Sequence, residues 1–251
     1  MAVIVILFFG SIVVLPLELL IICLSIGVLW TGVGVFYFKS LQAEEVSRVV
    51  PLFSLAPIFV LIVATFLFGE VFNLLTYVGI ISLIIGSVLI SLRKEGKINI
   101  SKAFWIMILA AIGWAIIMLM IKYVVLYGDV LSIFFWIMIG MALTSPFLLY
   151  FKYNDIKNAV KKHSLVAGYV ALSKSLDISA KFLTVAAIAV GTVSLASVLS
   201  ETQPLFVFLI ALIFSIWRPQ LLKEELSHGV MLLKIIAIIL IFIGAVLIIL
   251  S

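Results

Sequence analysis

The chain has 251 residues, of which 66% are hydrophobic and 11% are charged, and its formal net charge is +5. Soluble domains carry about one quarter charged residues, so this composition excludes an ordinary soluble domain and predicts an integral membrane protein whose main partner is the lipid bilayer. The positive charges fall in short connections between apolar stretches, so the net charge does not indicate nucleic-acid binding.

The apolar stretches run nearly without interruption for about 20 residues, the length of a membrane-spanning helix, whereas barrel strands alternate in polarity. A single helix over residues 2–38 would exceed about 50 Å, so we expect Pro16 and Glu18 in "LPLEL" to separate two spans. In chain order the pattern predicts nine spans, at residues 2–17, 19–38, 46–69, 72–92, 103–126, 130–151, 164–186, 192–217 and 230–250.

Lysine and arginine concentrate in alternate connections of this nine-span arrangement. The basic loops 93–102, 152–163 and 218–223 all fall on one side, together with Lys39 and Arg48. The positive-inside rule predicts that this side faces the cytoplasm of the cell membrane, with the N-terminus inside and the C-terminus outside.

An internal repeat is visible when residues 46–64 are aligned with residues 193–211, because Pro57 then falls on Pro204. The alignment matches the third span with the eighth, so one copy is five spans long. An odd number of crossings turns the second copy upside down relative to the first, which is the architecture of many secondary transporters.

The predicted fold class is therefore an all-α polytopic membrane protein with two inverted repeats of about five transmembrane helices. Residues 1–95 form the first repeat with four visible spans, and residues 103–251 form the second with five. The partner of the fifth span would begin upstream of Met1, so we expect the first helix of the first copy to be absent from this sequence.

Several of these segments carry a family resemblance. The stretch "EEVSRVVPLFSLAPIFVLIVATFLFGE", residues 44–70, followed by "YVGIISLIIGSVLISL", residues 77–92, resembles the end of an EamA domain of the drug/metabolite transporter superfamily. The stretch "FWIMILAAIGWAIIMLMIKYV", residues 104–124, is similar to the opening helix of a second EamA copy. The stretch "VSLASVLSETQPLFVFLIALIF", residues 193–214, resembles its penultimate helix.

The resemblance implies ten helices in two inverted halves that export or import small metabolites. It marks Gly69 and Glu70 as the family's Gly-Glu pair, with Glu224 or Glu225 nearest to its counterpart in the second copy. Members of the family usually keep both termini in the cytoplasm, which disagrees with the orientation that the basic loops predict.

Three charges interrupt the seventh span in "KSLDISAK". On a helix, Lys174, Asp177 and Lys181 fall within about 60° of one another and form one polar stripe, with Asp177 in reach of both lysines. In the next span, "SETQP" places Glu201 and Gln203 just before Pro204, whose ring removes a backbone donor. Two lysines and two carboxylates sum to zero charge.

This cluster has two interpretations. In one, the four charges neutralise one another and hold spans seven and eight together. In the other, they line a water-accessible cavity that binds a polar substrate, such as a zwitterion or an organic anion, or relays a proton, because ionisable residues inside membranes are usually functional. We take Lys174, Asp177, Lys181, Glu201 and Gln203 as candidate substrate-binding residues.

Further candidates are weaker. Trp30, Trp114 and Tyr37 either border a cavity or simply pack. Pro57, Pro204 and Glu70 are expected to have structural or gating roles. Glycines of the fourth span and of "GVLWTGVG" are expected to allow close helix approach, at a homodimer contact in the case of Gly79 and Gly86.

The sequence contains no metalloprotease, nucleotide-binding, thiol-redox or serine-hydrolase motif. We therefore expect no catalytic residues, no metal and no cofactor, and a protein that is not an enzyme. The leading hypothesis is a secondary transporter of small polar metabolites. The alternative is a non-transporting membrane scaffold, or a truncated transporter relic, in which the polar cluster only joins helices.

Overall fold

The computed structural model describes residues 14–44, 49–69, 73–91, 101–162, 164–200 and 228–250, with residues 206, 210, 213 and 217. Within these ranges the regular structure is helical and contains no strand. The helices are α1 (Leu17–Ala43), a 3-10 helix (Val50–Leu55), α2 (Ala56–Phe68), α3 (Leu74–Ser91), α4 (Lys102–Val125), α5 (Val130–Lys162), α6 (Ser164–Val190), α7 (Val193–Leu199) and α8 (His228–Ile249).

Some of these helices have the length and composition of membrane-spanning helices. Among the described residues, three helical segments are long and apolar enough to cross a bilayer, at Leu17–Ala43, Lys102–Val125 and Val130–Phe147. Shorter apolar helices cover Ala56–Phe68 and Leu74–Gly86, and the end of α8 is also apolar. The prediction of an all-α polytopic membrane protein is confirmed, while the nine spans and the inverted repeats stay predictions.

The first described helix begins at the predicted break. Residues 14–16 are not helical, and α1 starts at Leu17, where the backbone N–H of Leu20 donates to the Pro16 carbonyl at 3.0 Å. Proline fits this position because it has no N–H to lose at a helix start. Most of the predicted first span, residues 2–17, lies outside the described residues.

The predicted third span is divided at its proline. Residues 50–55 form a 3-10 helix, and α2 begins at Ala56 with Pro57 in its first turn. Pro57 therefore starts a helix rather than interrupting one, and its missing N–H is not needed there. The helix ends at Gly69, whose φ of 65° is left-handed and favours glycine. This explains the glycine of the Gly-Glu pair, while Glu70 lies outside the described residues.

The chain divides into two compact units. Unit 1 contains residues 1–31 and 120–191, and unit 2 contains residues 32–119 and 192–251. Each unit combines segments from both predicted repeats, whose boundaries stay a prediction.

In unit 2, α3 and α8 pack closely through glycines. A Cβ atom on Gly79 would lie 2.7 Å from the Gly244 carbonyl oxygen, and one on Gly86 would lie 2.8 Å from the Ala237 carbonyl oxygen. Ser82 strengthens this contact, because its hydroxyl donates to the Leu240 carbonyl at 2.8 Å. Close approach at Gly79 and Gly86 is thus confirmed, and it occurs within one chain. The homodimer contact expected there stays a prediction.

In unit 1, α1 and α5 pack in the same manner. A Cβ atom on Gly27 would collide with the backbone of Ile137 and Gly140, and one on Gly140 would collide with the backbone of Leu24. One turn further along, the Thr144 hydroxyl lies 3.1 Å from the Thr31 hydroxyl and donates to it. Small residues let the two helix backbones approach, as is usual for membrane helices.

Candidate functional site

The three charges of "KSLDISAK" meet on one face of α6. Lys174 Nζ donates to Asp177 Oδ2 at 3.3 Å, and Lys181 Nζ donates to Asp177 Oδ1. These are the i+3 and i+4 neighbours that a helix brings together. We call Lys174, Asp177 and Lys181 the α6 stripe, and each carboxylate oxygen of Asp177 contacts one of its lysines.

Exposure falls steadily along the α6 stripe. The exposed fraction of the side chain is 59% for Lys174, 39% for Asp177 and 9% for Lys181. The seven residue steps from Lys174 to Lys181 rise by about 10 Å along the helix axis. The stripe therefore leads from an open position to a buried one over roughly two turns.

The buried end of the α6 stripe is held by an aromatic ring of another helix. Lys181 Nζ lies 5.4 Å from the ring centroid of Trp30, a cation–π distance, and only 8% of Trp30 is exposed. The sequence marked Trp30 only as a residue that borders a cavity or packs, and its contact with Lys181 depends on how α1 and α6 pack. Lys181 is fixed between Asp177 and Trp30.

The packing of α6 explains why side-chain exposure falls along the α6 stripe. Lys181, Val185 and Ile188 share one buried face, spaced at helical intervals, and the Phe182 ring meets Phe134 of α5 at a centroid distance of 5.2 Å. Residues 168–174, by contrast, are all exposed. The C-terminal half of α6 is thus anchored in unit 1, and the half that begins the stripe is open.

Lys122 of α4 fixes the C-terminal end of α6. Its ammonium group donates to the Gly191 carbonyl at 2.7 Å and lies 3.4 Å from the Ile188 carbonyl. The last carbonyls of a helix lack intrahelical partners and carry partial negative charge, so a lysine stabilises them. Just beyond, the hydroxyl of Thr192 accepts from the Leu195 N–H at 3.2 Å and caps α7. This role could not be predicted from the sequence, because the partners of Lys122 are backbone carbonyls.

Unit 2 contains a separate row of aromatic rings that includes Tyr37 and Trp114. Phe53 of the 3-10 helix joins them, with centroid distances of 5.6 Å to Tyr37 and 6.1 Å to Trp114. All three rings are partly exposed. The sequence selected Tyr37 and Trp114 but missed Phe53, because the connection depends on where the 3-10 helix lies.

The remaining predicted residues lie outside the described part of the chain: Glu201, Gln203, Pro204 and Glu70. Among the residues that the structure describes, no group of three or more His, Cys, Asp or Glu side chains could hold a metal ion.

The α6 stripe is suited to the recognition of charged groups. It places two ammonium groups around one carboxylate, and its Lys174 end is the exposed one.

The fold and the α6 stripe together define the class of protein. It is a polytopic helical membrane protein with paired charges inside one long helix. Residues 1–92 match the family model of the EamA-like transporter family. The match covers less than half of the chain and confirms the resemblance over residues 1–92.

Structural comparison supports the helical fold. Fifteen chains of solved structures match. One of them, described only as the crystal structure of a protein, has a TM-score of 0.61 and 18% identity, with 98% of this chain and 81% of that chain covered. At that identity the likeness shows the fold alone. No curated protein matches.

Proposed function

We propose that the protein is a secondary transporter that moves small polar metabolites across the cytoplasmic membrane by alternating access between two inverted halves. The observation that carries the proposal is the α6 stripe, whose exposure falls from Lys174 to Lys181 inside a helix of 27 residues. The family match over residues 1–92 supports the transporter class.

Free energies support a hydrated stripe over a purely structural one. Three charged side chains in mid-membrane cost roughly 8–10 kcal/mol on insertion scales. The two ion pairs and the cation–π contact return about 2–6 kcal/mol together. The deficit of several kcal/mol is removed if water reaches the exposed end at Lys174. A water-filled path beside charged groups is what a polar substrate needs in order to cross.

Within this proposal the residues have different roles. Lys174 is the outer contact for substrate, Asp177 is the counter-ion that both lysines share, and Lys181 anchors the inner end on Trp30. We expect Glu201 and Gln203 to face the same path from the following helix. Trp114 and Tyr37 would border a separate part of the substrate path.

Pro57, Pro204 and Glu70 would act at gating positions, where helix ends move between the two access states. The basic loops 93–102, 152–163 and 218–223 would face the cytoplasm. Because the sequence contains no nucleotide-binding motif, the driving force would be a solute or ion gradient.

A second candidate function is a membrane scaffold, favoured by the contacts of Lys181 with both Asp177 and Trp30. In that case the stripe only holds helices together. Removing any of its charges would then lower thermal stability sharply, and exchanging the positions of an acidic and a basic residue would restore folding.

The test is solute flux into liposomes reconstituted with purified protein, using labelled amino acids, organic acids, amines and nucleosides. Wild type and Lys174→Met are compared with Lys102→Met, which removes an exposed lysine at the start of α4. We expect flux to be lost in Lys174→Met and kept in Lys102→Met, with similar expression and thermal stability. Equal flux in wild type and Lys174→Met would contradict the proposal.

A further inference from the structure

We infer that Glu18, Tyr123 and Tyr127 form a site for the ammonium group of a phospholipid headgroup, such as that of phosphatidylethanolamine. We call these three residues the Glu18 site. It lies where α1 begins and α4 ends, and the inference does not depend on the function proposed for the α6 stripe.

Tyr123 joins the start of α1 to the end of α4. Its hydroxyl donates to Glu18 Oε1, with 3.4 Å between the two oxygens. Glu18 lies in the first turn of α1, and Tyr123 lies in the last turn of α4. A carboxylate has two oxygens that can accept from several donors, so this one contact does not occupy the group.

The backbone around the Glu18 site is held by close packing. Leu15, just before α1, is buried, and a Cβ atom on Gly128 would lie 3.1 Å from its side chain. The N–H groups of Tyr127 and Gly128 both donate to the Val124 carbonyl at 3.1 Å, which extends the turn after α4. The packing of Leu15 on Gly128 therefore fixes Glu18 relative to the segment that carries Tyr127.

The two tyrosine rings form a corner, with the carboxylate at the hydroxyl end of one ring. Their centroids are 5.2 Å apart and their planes meet at 57°. The exposed fraction is 37% for Tyr123 and 65% for Tyr127, so a ligand can reach both rings. The faces of aromatic rings attract cations, and groups of rings are a known way to bind ammonium ligands. This corner thus has the chemistry of a cation site.

No described lysine or arginine pairs with Glu18. Among the described residues its contact is the Tyr123 hydroxyl, and the described ion pairs are those of the α6 stripe. Lys122 donates instead to the last carbonyls of α6, and the carboxylate of Asp129 caps α5. The negative charge of Glu18 is therefore available to a ligand that brings a positive charge.

The position of the Glu18 site along the helices favours a lipid over a soluble amine. Two membrane-spanning segments meet here, since Leu17–Ala43 begins and Lys102–Val125 ends at this point. The ends of such helices lie at the depth of the lipid headgroups, where tyrosine is enriched. Further into the span, Ile21 and Val28 lie on the same face of α1 as Glu18 and are exposed. A phospholipid with an amine supplies an ammonium group for the carboxylate and an acyl chain for this apolar face.

The experiment measures lipid binding by native mass spectrometry of the purified, delipidated full-length protein in detergent. Dioleoyl phosphatidylethanolamine competes with dioleoyl phosphatidylethanol, which has the same acyl chains and phosphate but no ammonium group. We expect wild type to prefer the ethanolamine lipid by about tenfold, the effect of one charge-assisted contact. The variants are Glu18→Gln, Tyr127→Leu and the matched control Tyr77→Leu, which removes a similarly exposed tyrosine of α3.

Glu18→Gln should remove most of the preference, because the amide carries no charge. Tyr127→Leu should lower it by about two- to fivefold through the loss of one cation–π contact, and Tyr77→Leu should match wild type. Equal binding of the two lipids by wild type, or an unchanged preference in Glu18→Gln, would overturn the inference. An unchanged preference in Tyr127→Leu would overturn it as well, because charge alone would then explain the selectivity.

A soluble competitor separates the lipid from a free amine. Ethanolamine is added in hundredfold excess over the phospholipid. We expect it to leave the phospholipid bound, because it has no acyl chain to place along Ile21 and Val28. Displacement of the phospholipid would show that the site takes soluble amines and would overturn its assignment to a lipid.

Discussion

Lys181 and Trp30 lie 151 positions apart in the chain, yet the ammonium group of Lys181 sits 5.4 Å from the centre of the Trp30 ring. Both side chains are more than nine-tenths buried. The contact joins α1 to α6 and fixes the inner end of the α6 stripe. It also makes the structural part of the stripe separable from the part that we propose to bind substrate.

Trp30→Leu should lower the free energy of unfolding through the lost cation–π contact, worth about 0.5–2 kcal/mol, in addition to the lost ring volume. A double-mutant cycle with Lys181→Met isolates the contact, and thermal or denaturant unfolding in detergent measures it. Trp105→Leu, at an exposed tryptophan of α4, is the matched control. A coupling free energy near zero between Trp30 and Lys181 would show that the ring does not hold the lysine.

Lys122→Met should destabilise the end of α6 by about 1.5–3 kcal/mol, because the carbonyls of Ile188 and Gly191 lose an ionic donor. Lys122→Arg, which can still donate to both carbonyls, should recover part of that loss. Hydrogen exchange of the last turn of α6 reports the effect locally. Exchange rates that do not change in Lys122→Met would contradict the assigned role.

Gly27→Ala and Gly140→Ala should each destabilise unit 1, since the added methyl group meets helix backbone that cannot move aside. Overpacking of this kind costs about 1–3 kcal/mol. Gly32 and Gly34 of the same helix α1 have open space at that position, so alanine there should be neutral or stabilising by up to about 1 kcal/mol. The melting temperatures of the four variants in detergent test this difference. Equal shifts at all four positions would contradict the close packing of α1 and α5 at Gly27 and Gly140.

Asp129 lies in the turn before α5, outside the predicted spans, and should make the stability of the fold depend on pH. Burial pushes the pKa of its carboxyl upward, but hydrogen bonds from Ser132 and from the backbone N–H of Leu131 outweigh burial and hold the pKa below its ordinary value. The Ser132 N–H donates to Asp129 Oδ1 at 2.9 Å, which caps α5.

A depressed pKa stabilises the folded state above the ordinary aspartate pKa of about 3.9, and that contribution is lost as the pH falls through the folded-state pKa. Thermal unfolding between about pH 3 and pH 7 should therefore lose part of its acid sensitivity in Asp129→Asn, which still caps the helix. Asp129→Ala should cost about 1 kcal/mol at neutral pH. An unchanged acid sensitivity in Asp129→Asn would mean that another group titrates.

Local periodicity was sufficient to predict the α6 stripe. Lys174, Asp177 and Lys181 meet because residues three and four apart share a helix face, whatever the tertiary fold. The contact of Trp30 with Lys181 and the place of Phe53 beside Tyr37 and Trp114 could not be predicted, because they depend on how distant helices pack. The same is true of Lys122, whose partners are backbone carbonyls that a sequence does not display.

Helix boundaries show a second limit. Hydropathy predicted a span over residues 130–151, but α5 continues to Lys162. The pattern marks where apolar residues end, whereas the helix continues through "KYNDIKNAVKK", which contains neither glycine nor proline to stop it. A change of helix type was also missed near Pro57. The apolar run over residues 46–69 was predicted as one span, but a 3-10 helix precedes α2 there.

The most direct test of the account is whether water reaches the α6 stripe inside the membrane. Cys23 is the only cysteine and is replaced by alanine to provide a background without thiols. Lys174→Cys and Leu172→Cys, both at exposed positions of α6, are then treated in proteoliposomes with a charged thiosulfonate that does not cross lipid. The account predicts fast labelling at position 174 and little at position 172. Equal labelling at the two positions, or none at position 174, would contradict it.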